Sequence, residues 1–185
     1  MEAGMRIALL IGSLREGSYN ARVADAMTRL APGDVTFARS RIDDLPPYDQ
    51  DDDANPPASA QRLKAEIAAA DGVMFATPEY NRSVPGVLKN ALDHASRPYG
   101  QSAWGGKPAG IIGVSTGAIG TATAQQHLRN ILAYLDMPTL GQPEAYLQWK
   151  DGLVDDAGEI GEGSREFLGW WMSKFLALVR LHAAR

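Results

Sequence analysis

The stretch "GSLREGSYN", residues 12–20, has residue types suited to binding an anion. Gly12 and Gly17 have the G-x-x-x-x-G spacing of a nucleotide-binding P-loop, and Ser18 follows them. A P-loop also needs a lysine that reaches the outer phosphates of a nucleoside triphosphate, and this stretch has none. The spacing therefore predicts phosphate binding without triphosphate chemistry.

A single terminal phosphate fits the same stretch. A loop that leads from a strand into a helix presents unpaired backbone N–H groups at the positive end of the helix dipole, and glycine lets an anion approach closely. The alternative is a Gly/Ser helix cap without a ligand. The side chains that could add donors are those of Ser13, Arg15, Ser18 and Asn20.

Two further loops are rich in residues that could border a flat ligand: "TPEYNRSVPG" at 77–86 and "STGAIGT" at 115–121. Tyr80 offers a flat face, and Asn81 carries both a donor and an acceptor. Prolines stiffen the first loop, whereas glycines and small hydroxyls let a ligand approach the backbone of the second. With a phosphate loop beside them, these residues favour FMN over a free sugar phosphate.

Short apolar runs alternate with helical periodicity along the whole chain, which predicts five strand–helix units. This alternation indicates an α/β protein with a doubly wound, five-stranded parallel sheet in the flavodoxin-like order 2-1-3-4-5, helices on both faces, in one domain of residues 1–185. Such sheets bind ligands beyond the carboxyl ends of their strands, so the three loops should meet there. The predicted strands are 6–11, 35–38, 72–76, 109–114 and a short stretch within 138–146; the predicted helices are 21–30, 59–70, 84–96, 121–135 and 164–184.

Composition narrows the function classes. A net charge of −4 argues against nucleic acid or an anionic membrane as the main partner, and no apolar run is long enough to span a bilayer. The chain has no cysteine, which excludes disulfides, thiolate chemistry and cysteine-ligated metals. The acidic run 48–57 lacks the glycine and glutamate of a calcium loop. We therefore predict no metal, and a cytoplasmic location because the start is not typical of a signal peptide.

The loops also carry a resemblance. "GSLREGSYN", "PEYNRSVPGVLKNALDHASRP" and the "STG…G" loop resemble those of the NADPH-dependent FMN reductase family, a flavodoxin-fold group that includes bacterial chromate and quinone reductases and azoreductase-like proteins. The resemblance covers essentially the whole chain, and it implies a homodimer or homotetramer with FMN near the subunit boundary. It implies that the FMN phosphate lies against Ser13, Arg15, Ser18, Tyr19 and Asn20, that the isoalloxazine edge meets Pro78, Glu79, Tyr80 and Asn81, and that Ser115, Thr116 and Gly117 flank the ring.

The resulting hypothesis is an FMN-dependent NAD(P)H oxidoreductase that passes hydride through FMN to a quinone or similar small acceptor. NADPH and NADH both remain open as the electron donor. Because the flavin carries the chemistry, no catalytic side chain is assigned.

Two other functions compete with this hypothesis. A non-catalytic electron carrier of the flavodoxin type would share the fold and the cofactor. A serine hydrolase would use Ser115, because "GVSTG" matches the G-x-S-x-G nucleophile elbow. That enzyme would need an acid and a histidine downstream, for which Asp136 and His182 are candidates.

Overall fold

The structure, a computed structural model, describes residues 4–183 and shows strands and helices in alternation. No helix in this range is long and apolar enough to cross a membrane. The strands are β1 Met5–Ile11, β2 Val35–Arg39, β3 Gly72–Ala76, β4 Ala109–Ser115 and β5 Ala145–Gln148. The helices are α1 Tyr19–Thr28, α2 Ala58–Ala68, α3 Gly86–Ala95, α4 Ala122–Tyr134 and α5 Glu162–Ala183, with a short 3₁₀ helix at Gln50–Ala54.

The strands form one parallel sheet in the order β2-β1-β3-β4-β5, which confirms the predicted flavodoxin-like fold. Ile11 at the end of β1 pairs with Ala76 at the end of β3, and Ala76 pairs with Ile112 in β4. The register therefore brings the loops after these three strands to one edge of the sheet.

The core lies on both faces of the sheet, because alternate side chains of a strand point in opposite directions. Ile7 and Leu9 pack in the cluster that includes α1 and α5, whereas Leu10 packs in the cluster that includes α2, α3 and α4. Helix α5 packs closely on Gly110 in β4: a Cβ there would lie 2.7 Å from Phe175 Cδ2 and 2.8 Å from Trp171 Cη2. Glycine at this position lets the two aromatic rings reach the sheet.

Most predicted elements differ from the observed bounds by one or two residues, and two of the differences have a clear structural cause. Helix α1 begins at Tyr19 rather than at residue 21, because the Ser18 side chain caps it. Strand β5 begins at Ala145, near the end of the predicted stretch 138–146. The earlier part of that stretch forms an isolated bridge between Thr139 and Ala109, and regular pairing with β4 starts only at Ala145. The last residue of the predicted helix 164–184 lies outside the described residues.

Candidate active site

The loop between β1 and α1, residues 12–18, has several backbone N–H groups without a hydrogen-bond acceptor among the described residues. Ser18 is the N-cap of α1, and its Oγ accepts a hydrogen bond from the Ala21 N–H at 3.2 Å. Gly17 has a φ of +64°, a left-handed conformation that favours glycine. The backbone N–H groups of residues 13–17, 19 and 20 donate to no acceptor within the described part of the chain. Such a set of N–H groups at a helix start can bind a phosphate.

Asn20 fixes this loop to the next part of the site. Its side chain is buried, its Nδ2 donates to the Val114 carbonyl at 3.0 Å, and its Oδ1 accepts from the Val114 N–H at 3.0 Å. The side chain therefore completes the edge of β4 near its carboxyl end. Asn20 thus positions the start of α1 against the sheet.

An aromatic stack borders the loop on the side of β5. The rings of Tyr19 and Trp149 are stacked, with centroids 4.2 Å apart and planes 20° apart. The guanidinium of Arg15 lies 4.9 Å from the centre of the Tyr19 ring, and that of Arg22 lies 4.8 Å from the centre of the Trp149 ring. Cation–π contacts of this kind order long side chains at a protein surface. Arg15 is therefore held next to the free N–H groups.

A tight hairpin follows β3. The N–H of Tyr80 donates to the Ser83 carbonyl at 3.1 Å, and the N–H of Ser83 donates to the Tyr80 carbonyl at 3.0 Å. Asn81 and Arg82 between them have φ values of +52° and +65°, which is the pattern of a type I′ turn and is strained for residues other than glycine. The hairpin leaves the Tyr80 ring half-exposed at the edge of the sheet. Strain held in this way marks a segment whose shape is fixed by its surroundings.

The carboxylate of Glu79 joins this hairpin to α4. Its side chain is only 7% exposed, and its Oε2 accepts hydrogen bonds from the N–H groups of Thr123 and Ala124 at 3.0 and 3.1 Å. The α4 N-cap residue, Thr121, makes no side-chain cap of its own. Glu79 therefore caps α4 from a distant loop, where its negative charge also meets the positive end of the helix dipole.

The loop after β4 gives no support to a serine nucleophile. Ser115 Oγ donates to the Gly117 carbonyl at 3.0 Å. His127 Nδ1 bonds Ser83 Oγ, while the other two histidines of the chain, His94 and His182, bond backbone carbonyls. No histidine is thus hydrogen-bonded to Ser115 within residues 4–183, so the hydrolase hypothesis lacks its general base.

The structure brings the first two predicted groups into contact, and the third, Ser115, Thr116 and Gly117, lies at the end of β4 on the same carboxyl edge of the sheet. A Cβ on Gly12 would lie 3.3 Å from Pro78 Cδ, which places the first loop against the second. Sequence reasoning missed Trp149 and the α4 N–H groups. Trp149 follows β5 at the same carboxyl edge, and that position was the signal that could have found it. The described residues hold no cluster of His, Asp and Glu suited to a metal ion.

A flavodoxin-like sheet with a loop of free N–H groups at its carboxyl edge is typical of nucleotide-binding and flavin-binding proteins. Comparisons narrow the class. A family model described as NADPH-dependent FMN reductase matches residues 5–150. A 2-hydroxy-1,4-benzoquinone reductase from a Burkholderia species is 52% identical over 177 residues, which cover 95% of this chain and 97% of the relative. A quinone reductase from Pseudomonas putida is 47% identical over 179 residues, or 96% of each chain.

Among solved structures, the flavoenzyme FerB from Paracoccus denitrificans, an NAD(P)H:(acceptor) oxidoreductase, is similar with a TM-score of 0.93. It is 41% identical, and the match covers 96% of this chain and 98% of FerB. The chain belongs to the NADPH-dependent FMN reductase family. This membership confirms the predicted family, the oxidoreductase class, and FMN with NAD(P)H as electron donor.

Proposed function

We propose that the enzyme reduces a quinone or similar small acceptor with electrons from NAD(P)H, through FMN held by the three loops at the carboxyl edge of the sheet. The free backbone N–H groups at the start of α1 are the observation that carries the proposal, because they fit the single phosphate of FMN and need no lysine or magnesium. The names of the two curated relatives, a hydroxybenzoquinone reductase and a quinone reductase, support the quinone class of acceptor.

Each loop has a distinct task in this proposal. The first loop holds the phosphate, with Ser18 fixing the start of α1 and Asn20 fixing it against β4. The hairpin after β3 supplies a rigid edge for the flavin ring, and the loop after β4 flanks that ring with small residues. The proposed cofactor-binding residues are Ser13, Arg15, Ser18, Tyr19, Asn20, Pro78, Glu79, Tyr80, Asn81, Ser115, Thr116 and Gly117.

Bound FMN would supply the hydride and electron transfer between NAD(P)H and the acceptor. The protein binds and orients the reactants. We expect donor and acceptor to use the same face of the flavin in turn, beside the half-exposed ring of Tyr80. That arrangement predicts ping-pong kinetics.

An absorption spectrum of the purified protein, followed by anaerobic titration with each nicotinamide, tests the proposal. We expect a flavin spectrum that bleaches on addition of NAD(P)H and recovers on addition of a benzoquinone. A protein that binds no FMN at micromolar concentrations would contradict the cofactor site. A flavin that nicotinamides reduce only slowly would instead favour the electron carrier.

A homodimeric or homotetrameric assembly and a cytoplasmic location belong to the same proposal. Both follow from the resemblance and the sequence. Light scattering coupled to gel filtration checks the assembly, and fractionation of the host cell checks the location.

A further inference from the structure

One buried amide joins the start of α4 to the sheet and to the loop after β4. Gln125 lies in the first turn of α4 and is completely buried. Its Nε2 donates to Thr121 Oγ1 at 3.1 Å and to the Ala145 carbonyl at 2.8 Å. Thr121 is the last residue of the loop, and Ala145 begins β5 at the edge of the sheet. A single side chain therefore connects the loop, the helix and the edge strand.

Thr121 is held in a strained conformation. Its φ is +69°, in the left-handed region, which is rare for a β-branched residue. Its buried side chain fills the room above Gly113, where a Cβ would lie 2.1 Å from Thr121 Oγ1 and 2.4 Å from the Thr77 carbonyl oxygen. The hydroxyl thus lies beside the carboxyl ends of β3 and β4. Such strain persists where the surroundings fix it, and the amide of Gln125 is part of those surroundings.

Gly120 fixes the same end of the loop from the side of β5. Its φ is +58°, and a Cβ there would lie 2.6 Å from the carbonyl carbon of Tyr146. Residues 116–119, which precede it, are exposed to solvent. The position of this exposed part therefore depends on how firmly Gly120 and Thr121 are held against the sheet.

The second polar atom of the Gln125 amide does not contribute to this network. Its Oε1 is buried and has no hydrogen-bond partner within residues 4–183. A buried acceptor without a partner is unfavourable, so an amide here is not the side chain that stability alone would favour. The unpaired oxygen and the strained Thr121 together indicate a corner of the fold that is arranged to hold one loop conformation.

We infer that Gln125 is a positioning residue for the flavin ring, because it holds Thr121 and thereby the loop after β4. The inference rests on the proposed function, in which residues 115–117 of this loop flank the isoalloxazine. Since Gln125 is completely buried, it acts through Thr121 and not by contact with the flavin. The phosphate has a separate place, at the start of α1, so Gln125 should affect binding of the ring and leave binding of the phosphate unchanged.

Gln125→Leu tests this division, because it removes both hydrogen bonds and keeps a good helix former. We expect the dissociation constants of FMN and of riboflavin, which lacks the phosphate, to rise by the same factor of about ten. The control is Trp104→Phe, which removes another buried hydrogen bond, from Trp104 Nε1 to the Leu92 carbonyl, in the segment that enters β4 at its amino end. It should lower stability without changing either affinity. A Q125L protein that binds both flavins as tightly as the wild type, or that loses affinity for FMN alone, would overturn the inference.

Thr121→Gly keeps the test decisive if Q125L folds poorly. Glycine adopts a φ of +69° without strain, so this variant should be less destabilised than Q125L. It lacks the hydroxyl that the Gln125 amide holds, so both flavins should still bind about tenfold more weakly. Thr121→Ser keeps the hydroxyl and should restore most of the affinity. Wild-type affinity in T121G would contradict the inference.

Hydrogen exchange in the flavin-free protein separates this inference from the proposed function. The Ala122 N–H donates to the Ile119 carbonyl at 3.0 Å and closes the end of the loop. We expect this N–H to exchange faster in Q125L than in W104F, and equal rates would contradict the inference. If the wild-type protein bound neither flavin, the proposed function would fail, and the role for the ring with it. If the wild-type protein and Q125L bound both flavins equally well, the inference alone would fail.

Discussion

The first loop and the hairpin after β3 border the same edge of the sheet but use their polar groups differently. In the first loop, most backbone N–H groups have no protein acceptor within residues 4–183. In the hairpin segment, the Glu79 carboxylate binds two N–H groups of α4, and the backbone of Tyr80 and Ser83 is paired. Substitutions in the first loop should therefore weaken ligand binding, whereas those in the hairpin segment should first weaken the fold. Asn20 follows the first loop, but its side chain, like that of Glu79, is hydrogen-bonded to a distant part of the backbone, the N–H and C=O of Val114 in β4. We therefore expect its substitution to weaken the fold first.

Asn20→Ala should have the largest effect on stability. It removes two buried hydrogen bonds and leaves the N–H and C=O of Val114 without partners, so the free energy of unfolding should fall by roughly 3 kcal/mol. Urea denaturation measures this change. Asn130→Ala, at an exposed position on α4, is the control and should have little effect. A variant that keeps wild-type stability but loses FMN would mean that Asn20 contacts the ligand instead of positioning the loop.

Glu79→Ala should have the second largest effect on stability. It removes the cap from α4, and we expect a loss of about 1–2 kcal/mol in the free energy of unfolding. Hydrogen exchange should accelerate at the N–H groups of Thr123 and Ala124, which lose their acceptor. FMN affinity should fall in Glu79→Ala together with the stability, and Glu79→Gln, which keeps an oxygen acceptor, should restore most of both. If Gln restores stability but not FMN binding, the carboxylate acts on the flavin directly, and the contrast between the two regions fails there.

These two residues show where sequence reasoning ends. Ser18 could be predicted as a helix cap because its partner lies three residues away, and the three loops could be placed at one edge because parallel strands share their carboxyl ends. The partner of Asn20 lies 94 residues away, and those of Glu79 lie 44 and 45 residues away. No local pattern specifies which distant backbone a side chain will meet. The start of β5 could not be predicted from the local sequence for the same reason. Pairing with β4, a distant segment, determines that β5 begins at Ala145.

Ser18→Ala tests the first loop. Loss of the N-cap should lower the free energy of unfolding by about 1 kcal/mol. The FMN dissociation constant should rise by about tenfold, since the start of α1 then no longer holds its N–H groups in place. Fluorescence quenching of FMN measures the affinity, and ATP should not compete in either protein. Ser59→Ala on α2 is the control. ATP that displaced FMN at comparable affinity would contradict the single-phosphate site.

Arg15→Gln should have the smallest effect and sharpens the comparison most. The side chain is exposed and stacked over Tyr19, so its charge acts on a phosphate largely through solvent. We expect FMN affinity to fall by only about threefold, and that difference to vanish at high salt, because surface charge interactions are weak and screened. Affinity measured at several salt concentrations checks this. If Arg15→Gln weakens binding more than Ser18→Ala does, the guanidinium holds the phosphate in place of the helix N-terminus. The missing lysine of the P-loop would then have an arginine as its substitute, and the free N–H groups would no longer account for the predicted preference for one phosphate over three.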